Sequence, residues 1–113
     1  MAYVYILKCT DGSYYTGCAK DVQKRIKTHL SKSSRAAKYT RARTICELSA
    51  VWEVETYSQA SKLEYYIKKN FTHAEKQALV NSPATMIDLS KSIFDFEIRT
   101  VEAIDGKSIK DMI

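Results

Sequence analysis

The chain has 113 residues, 45% of them hydrophobic, with three glycines and one proline, which suits one compact domain and argues against disorder. Its longest apolar runs are a few residues, far below the roughly 20 that cross a bilayer, so we expect neither a membrane span nor secretion. The net charge of +5 is one-sided: residues 1–46 hold ten Lys/Arg and two Asp, a net +8, while residues 47–113 hold eight Lys/Arg and eleven Asp/Glu, a net −3.

The first predicted element is a β-hairpin. Residues 3–9 (Tyr-Val-Tyr-Ile-Leu-Lys-Cys) are rich in β-branched and aromatic types, Asp11-Gly12 supplies a tight turn, and the pair Tyr14-Tyr15 opens the return strand. Because side chains alternate along a strand, Tyr3 and Tyr5 should share one face. Such tyrosines can simply pack their rings, so the hairpin by itself does not establish a reactive surface.

An amphipathic helix is predicted next, with Asp21 as its N-cap. Apolar residues recur at helical spacing, namely Val22, Ile26 and Leu30. Basic residues lie largely off that stripe, namely Lys20, Lys24 and Lys27. The helix should therefore cover one face of the hairpin and present a basic outer surface.

A basic loop follows between Ser31 and Thr44, because this segment has no apolar period and no acidic residue. Its five cations are Lys32, Arg35, Lys38, Arg41 and Arg43. Together with Lys24 they could lie along a nucleic-acid backbone, and Tyr39 could offer one ring for base stacking. The alternative is a solvated loop without a ligand.

A third strand is predicted from Leu48 to Tyr57, and Ser58 should then cap a helix that runs to about Asn70. One face of that helix is apolar, with Ala60, Leu63, Ile67 and Phe71. The segment Thr72-His-Ala-Glu75 has the spacing of a capping box and predicts a short second helix that ends near residues 81–83.

Pro83 marks the predicted internal boundary, which gives a domain of residues 1–82 and a C-terminal extension of residues 83–113. Within the extension, apolar and charged residues alternate over Phe94–Arg99, which predicts a half-buried strand, and Asp105-Gly106 should turn the chain toward a short helical or frayed end. The order ββαβαα plus one strand predicts an α+β fold. Its small, mostly antiparallel three-stranded sheet should be flanked by helices and extended by the appended C-terminal strand.

The three cysteines, Cys9, Cys18 and Cys46, are odd in number and form no CxxC pair. This pattern favours neither a disulfide framework nor a zinc site. It is compatible with a reducing compartment, so we expect a cytoplasmic protein.

An ordered set of motifs runs through the first two thirds of the chain. Tyr3-Val-Tyr5 is followed by Tyr15-Thr-Gly17, then by Arg25 and His29 on the first helix and by Glu64 on the next. This order resembles the GIY-YIG endonuclease family, and the hairpin wording is especially similar to that of its small single-domain bacterial members. The similarity extends from about residue 2 to residue 80.

The resemblance implies a role for each motif residue. Tyr5 and Tyr15 are the motif tyrosines, Gly17 closes the second motif beside the nucleic acid, and Arg25 with His29 lies on one face of the first helix. In the family, the tyrosines, the arginine and a helix-borne glutamate surround one divalent cation and the scissile phosphate. Glu64 would therefore be the metal ligand, for Mg²⁺ or Mn²⁺.

These residue types suit phosphodiester hydrolysis. A cation held by Glu64 could polarise a phosphate oxygen, Arg25 could hold the phosphate through two hydrogen bonds, and Tyr15 could orient or deprotonate water if its pKa fell below about 10. Singly, Arg25 and Glu64 could be solvent-facing residues and His29 a helix cap or surface residue. Many longer relatives carry lysine where Cys18 stands, which leaves any role of that lysine open here.

The predicted function is a metal-dependent endonuclease acting on DNA or structured nucleic acid in repair, recombination or turnover. A non-catalytic nucleic-acid-binding module with the same fold is the alternative. A weaker third possibility is an assembly protein that uses residues 84–113 to bind a protein partner or a second copy of the chain.

Overall fold

The computed structural model describes residues 1–31, 45–104 and 107–109. The elements in chain order are β1 (Ala2–Cys9), β2 (Tyr14–Ala19), α1 (Val22–Ser31), β3 (Ile45–Val54), α2 (Tyr57–Asn70), α3 (His73–Asn81), α4 (Thr85–Ile93), β4 (Arg99–Thr100), β5 (Ala103–Ile104) and β6 (Lys107–Ser108). Strands β1 to β4 form an antiparallel sheet in the order β2-β1-β3-β4, and β5 pairs with β6 separately. The α+β prediction with an appended strand is confirmed.

The N-terminal hairpin has the predicted turn. Gly12 adopts a positive φ of 84°, and its backbone N–H donates to the Cys9 carbonyl oxygen at 2.9 Å. In the resulting register, Tyr5 lies opposite Gly17 and Leu7 lies opposite Tyr15. Tyr5 and Tyr15 are thus diagonal neighbours on the same face of the hairpin.

The sheet is buried on both faces, so its central strands are apolar on both sides. One face packs α2 against the sheet, and this cluster includes Val4, Ile6, Trp52, Ala60, Leu63 and Ile67. The other face packs α1 against the sheet, and this cluster includes Tyr5, Leu7, Val22, Ile26 and Val51. Each fully buried large side chain contributes about 1.5–3 kcal/mol to folding. The face under α1 is the one that carries the motif tyrosine Tyr5.

Helix α2 begins earlier than the sequence pattern predicted, because Thr56 rather than Ser58 is its N-cap. The Thr56 side chain accepts from the Gln59 backbone N–H at 3.2 Å, and the Gln59 side-chain oxygen accepts from the Thr56 N–H at 3.2 Å. The strand before it accordingly ends at Val54, and Tyr57 is the first helical residue. The predicted end of this helix at Asn70 is confirmed.

The second short helix, α3, follows the prediction. Thr72 is its N-cap, with a capping box to Glu75 in which both hydrogen bonds are present at 3.0 and 3.2 Å. The helix ends at Asn81. Two hydrogen bonds between side chain and backbone thus define the start of α3, as predicted from the sequence.

The C-terminal region departs from the prediction in three places. Helix α4 was not predicted; it follows Ala84, which supplies no side-chain cap, so its start carries no sequence signal. The side chains of Phe94–Arg99 alternate in burial as predicted, but most of this segment does not pair with the sheet. Strand β4 is confined to Arg99–Thr100, which pairs with Glu53 and Trp52. Where a short helical or frayed end was predicted, residues 107–108 form strand β6, and positions 105–106 and 110–113 of that segment lie outside the described residues.

Residues beyond Pro83 share the core of the preceding residues. Trp52 Nε1 donates to the Pro83 carbonyl oxygen at 3.0 Å, and Met86 and Ile98 belong to the cluster under α2. In the described part of the chain, no helix combines the length and apolar character needed to span a membrane.

Candidate active site

The centre of the candidate site is a hydrogen bond between the hairpin and helix α1. Tyr5 Oη lies 2.9 Å from His29 Nε2, and both side chains are fully buried. His29 is therefore neither a helix cap nor a surface residue. It continues the inward stripe of α1 that begins with Val22 and Ile26, seven and three residues earlier.

The protonation states of this pair follow from its burial. Desolvation, with a smaller effect from the Arg25 charge, lowers the pKa of His29 to about 4, so the imidazole is neutral near pH 7. Burial raises the pKa of Tyr5 well above its ordinary value, with the charge of Tyr15 as the next cause. The hydrogen bond therefore joins a neutral phenol to a neutral imidazole, so neither partner carries a charge near pH 7.

Tyr15 stands beside this pair and is half-buried. Its ring centroid lies 6.4 Å from that of Tyr5 and 5.4 Å from that of His29. Burial raises the Tyr15 pKa, and the Glu64 charge acts in the same direction, whereas Lys68 and Arg25 act against them. In the protein alone, the Tyr15 phenol therefore holds its proton more tightly than a free tyrosine, contrary to the lower pKa that general-base action requires.

Gly17 provides the space in which the two tyrosines meet. A Cβ atom at this position would lie 2.6 Å from Tyr5 Oη and 2.9 Å from Tyr15 Cε2, both closer than real Cβ contacts allow. Any larger residue would displace one ring. The structure thus gives Gly17 a steric function within the protein, whereas the predicted contact of Gly17 with nucleic acid stays a prediction.

Arg25 lies one turn before His29 on α1 and is partly exposed. Its guanidinium hydrogen-bonds both Tyr5 and Tyr15, and each of these interactions lowers the pKa of the tyrosine concerned. A planar group with five N–H donors can satisfy two phenols and retain donors for a phosphate. Arg25 is thus at the exposed edge of the tyrosine pair, as the predicted phosphate contact requires.

Glu64 reaches the same place from α2 on the other side of β2. Its charge affects the pKa of Tyr15, and its carboxylate Oε1 lies 3.2 Å from Lys68 Nζ. The Glu64 side chain is 23% exposed, so one carboxylate remains open to solvent beside Tyr15. All five predicted catalytic residues, Tyr5, Tyr15, Arg25, His29 and Glu64, therefore surround one end of the hairpin.

The donor chemistry at this place fits a weakly held hard cation. Among residues 1–31, 45–104 and 107–109, no group of three or more His, Cys, Asp or Glu side chains is arranged to hold a metal ion. Mg²⁺ commonly uses one or two protein carboxylates and completes its shell with water and substrate phosphate. Glu64 could supply such a carboxylate, with water and nucleic acid supplying further oxygens.

Comparison with known proteins identifies the domain. The family model of the GIY-YIG catalytic domain matches residues 1–77. The chain belongs to the GIY-YIG family. This is a family of nucleases, so nucleic acid is the implied substrate class.

Similar proteins within this GIY-YIG family are small and carry names that state no activity. The UPF0213 protein BH0048 of Halalkalibacterium halodurans is 44% identical over 79 residues, which are 70% of this chain and 81% of that protein. The UPF0213 protein FN1575 of Fusobacterium nucleatum is 34% identical over 99 residues, 88% of this chain and 96% of that protein. A solution NMR structure of BH0048 from Bacillus halodurans covers 83% of this chain and 99% of its own, at 37% identity and a TM-score of 0.45.

The GIY-YIG site contains two neighbours that sequence reasoning missed. Lys68 pairs with Glu64, and the spacing of four residues on one helix was the available signal. Cys18 is half-buried beside Glu64 and hydrogen-bonds Tyr57; burial, above all, raises the pKa of its thiol. A neutral thiol thus borders the site on β2, where many longer relatives carry lysine. The lysine over the Tyr15 ring, Lys68, comes from α2.

The remaining residues singled out in the sequence lie elsewhere in the fold or outside the described residues. Lys24 is exposed on α1, and its backbone N–H donates to the Asp21 cap at 3.1 Å, as predicted for the helix start. Tyr14 is buried on the opposite face, where its ring lies 5.0 Å from that of His73. Six predicted nucleic-acid contacts lie outside the described residues, namely Lys32, Arg35, Lys38, Tyr39, Arg41 and Arg43.

Proposed function

We propose that this chain is a divalent-metal-dependent endonuclease that hydrolyses phosphodiester bonds in DNA or structured nucleic acid. The observation that supports it is the convergence of Arg25 and Glu64, from two different helices, on the Tyr5–Tyr15 pair. A nucleic-acid-binding surface needs cations and stacking rings but has no requirement for a solvent-accessible carboxylate among them. Metal-dependent hydrolysis does use such a group, to hold the cation that offsets phosphate charge.

The protein groups have separate parts in this mechanism. Arg25 donates hydrogen bonds to the scissile phosphate, which fixes the phosphorus atom near the Tyr15 phenol. Tyr15 accepts a hydrogen bond from the attacking water and orients it toward phosphorus. A Mg²⁺ or Mn²⁺ ion held by Glu64 supplies, when bound, neutralisation of charge on the phosphate and the departing 3′ oxygen.

Tyr5 and His29 serve this mechanism as a rigid support. Their mutual hydrogen bond satisfies both buried groups, so neither side chain needs to move when substrate arrives. The neutral imidazole adds no charge beneath the phosphate, and Tyr5 holds Arg25 through a second hydrogen bond. The pair thereby sets the position of the arginine that contacts substrate.

The wider setting belongs to the same proposal. We infer that the basic segment 31–44 and Lys24 follow the nucleic-acid backbone, and that DNA in repair, recombination or turnover is the substrate. The odd number of cysteines and the lack of a CxxC pair support a reducing, cytoplasmic location. This proposal also includes a domain boundary between residues 82 and 83. It further includes the use of residues 84–113 to bind a protein partner or a second copy of the chain.

Cleavage by the purified chain tests the function. Duplex, branched and single-stranded substrates should be cut with Mg²⁺ or Mn²⁺ and left intact with EDTA, and Glu64→Ala should abolish cutting while retaining binding. Glu97→Ala is the control, since Glu97 pairs with Arg99 at the sheet edge opposite β2. Salt-dependent binding without any metal-dependent cutting would contradict the enzyme and favour the binding module; loss of binding as well would favour the assembly protein.

A further inference from the structure

Lys68 lies beside two residues of the candidate site. It lies one helical turn after Glu64 on α2, with its Nζ 3.2 Å from Glu64 Oε1 and 5.7 Å from the centroid of the Tyr15 ring. The Lys68 side chain is 47% exposed, so the ammonium group is open to solvent between a carboxylate and a phenol. A phosphate bound beside both Tyr15 and Glu64 would lie near this group.

The next residue provides an internal comparison. Lys69 is also near the end of α2, and its Nζ lies 5.6 Å from the centroid of the Tyr65 ring. Tyr65 is 63% exposed and belongs to neither face of the sheet. The two lysines thus make the same kind of cation–π contact at the same distance, but Lys68 makes it with a site tyrosine and also pairs with the site carboxylate.

Stability alone is a weak explanation for the Lys68–Glu64 pair. Exposed ion pairs between residues four apart on a helix contribute a few tenths of a kcal/mol, because water screens them. The ammonium group has three N–H donors, and one Glu64 oxygen can engage one of them. The donors that remain can bind a second anion without breaking the first contact.

We propose that Lys68 is a further catalytic residue, whose ammonium group donates a hydrogen bond to a non-bridging oxygen of the scissile phosphate. The proposal rests on the nuclease function proposed above and adds a second cationic contact, opposite Arg25. Negative charge on the non-bridging oxygens grows as water attacks phosphorus, so a fixed ammonium group stabilises the transition state more than the ground state.

The same geometry gives Lys68 a second, opposite effect. Its charge neutralises Glu64 in the free protein, and a divalent cation must compete with it for that carboxylate. Removal of the ammonium group should therefore strengthen cation binding while it slows hydrolysis. A residue that merely stabilised α2 would weaken both properties when it was replaced.

Three variants of the full chain separate these possibilities: Lys68→Met, Lys68→Arg and Lys69→Met. Single-turnover cleavage at saturating Mn²⁺ should fall on the order of 10- to 100-fold in Lys68→Met, recover in part in Lys68→Arg, and stay near the wild-type rate in Lys69→Met. Binding of Mn²⁺ without nucleic acid, followed by electron paramagnetic resonance of the free ion, should become about two- to fivefold tighter in Lys68→Met and remain unchanged in Lys69→Met.

The outcomes also distinguish the two proposals. If the wild-type chain cuts and Lys68→Met matches Lys69→Met in rate, the role of Lys68 is refuted and the nuclease remains. If Lys68→Met binds Mn²⁺ more weakly, or if circular dichroism shows that both Lys68 variants have lost helix, the effect is structural and the role is again refuted. If the wild-type chain cuts nothing, the nuclease proposal fails and the Lys68 role fails with it.

Discussion

Tyr5 Oη and His29 Nε2 are 2.9 Å apart in a fully buried position between the hairpin and helix α1. The distance is that of a good hydrogen bond. Each buried polar group is the other's hydrogen-bond partner, which avoids the cost of leaving it unsatisfied. Within the described part of the chain, the charged and titratable groups shown to act on His29 are Tyr5 on β1, Tyr15 on β2 and Arg25 on α1. This environment makes His29 sensitive to acid.

Stability should fall between about pH 6.5 and pH 4 because of His29. The folded chain lowers the pKa of this imidazole to about 4, whereas the unfolded chain keeps it near 6.5. Within that range the unfolded state binds more protons, so the free energy of unfolding decreases as the pH falls, by up to about 3 kcal/mol. Urea unfolding of the wild type and His29→Gln at several pH values measures this decrease. An equal dependence of the unfolding free energy on pH in the two proteins would contradict the role of His29.

Gly17→Ala should destroy the site by displacing the Tyr5 ring. The added Cβ would lie 2.6 Å from Tyr5 Oη, so the overpacked hairpin should lose roughly 1–3 kcal/mol of stability and nearly all cleavage. Gly12→Ala is the matched control. Among the described residues, no heavy atom beyond the adjacent residues lies within 4 Å of a Cβ at Gly12, so the positive φ costs roughly 1–2 kcal/mol and activity at a permissive temperature should survive. Equal activity in the two variants would contradict the steric role.

Tyr15→Phe should impair cleavage far more than folding. Tyr15 is half-buried, and in the proposed mechanism its phenol orients water, so the single-turnover rate should fall by on the order of 10²- to 10⁴-fold. The melting temperature should change little. Tyr14→Phe alters the neighbouring tyrosine on the opposite face, against His73, and should keep the wild-type rate. A similar rate loss in both variants would show that the hairpin, not the phenol, was affected.

Met86→Ala should test how strongly the region after Pro83 supports the core. Met86 is fully buried in the cluster that contains Trp52, so its truncation should cost about 2–5 kcal/mol in chemical denaturation. Ile93→Ala is the control on the same helix, since Ile93 is 41% exposed and should cost less than about 1 kcal/mol. If both changes were equally mild, the described extension would contribute little to the stability of the domain.

Much of the fold could be predicted where one residue type satisfies one local geometric need. Asp11-Gly12 predicted the hairpin because Gly12 can adopt a positive φ, and Thr72 predicted α3 because its side chain caps the helix. Helix α4 escaped prediction, since its N-cap residue Ala84 has no polar side chain. The start of α2 was misassigned because two candidate caps, Thr56 and Ser58, lie two residues apart.

The candidate site residues could be named from the sequence, but their arrangement could not. Motif order indicated Tyr5, Tyr15 and Glu64, yet spacing along the chain cannot show which side chains are buried. His29 falls on the inward stripe of α1, so its burial could have been inferred from Val22 and Ile26. The contact of Lys68 with the Tyr15 ring depends on how α2 packs against β2, which no local pattern encodes.

Paramagnetic broadening by Mn²⁺ tests most directly whether the hairpin and α2 form one metal-dependent site. Amide NMR signals should be followed as substoichiometric Mn²⁺ is added to the chain bound to a short duplex with a non-hydrolysable linkage. The signals of Tyr15, Gly17 and Glu64 should broaden together, while those of Glu97 and Arg99 at the far sheet edge stay sharp. Broadening centred on Glu97, or spread evenly over the acidic residues, would contradict a single site at Glu64.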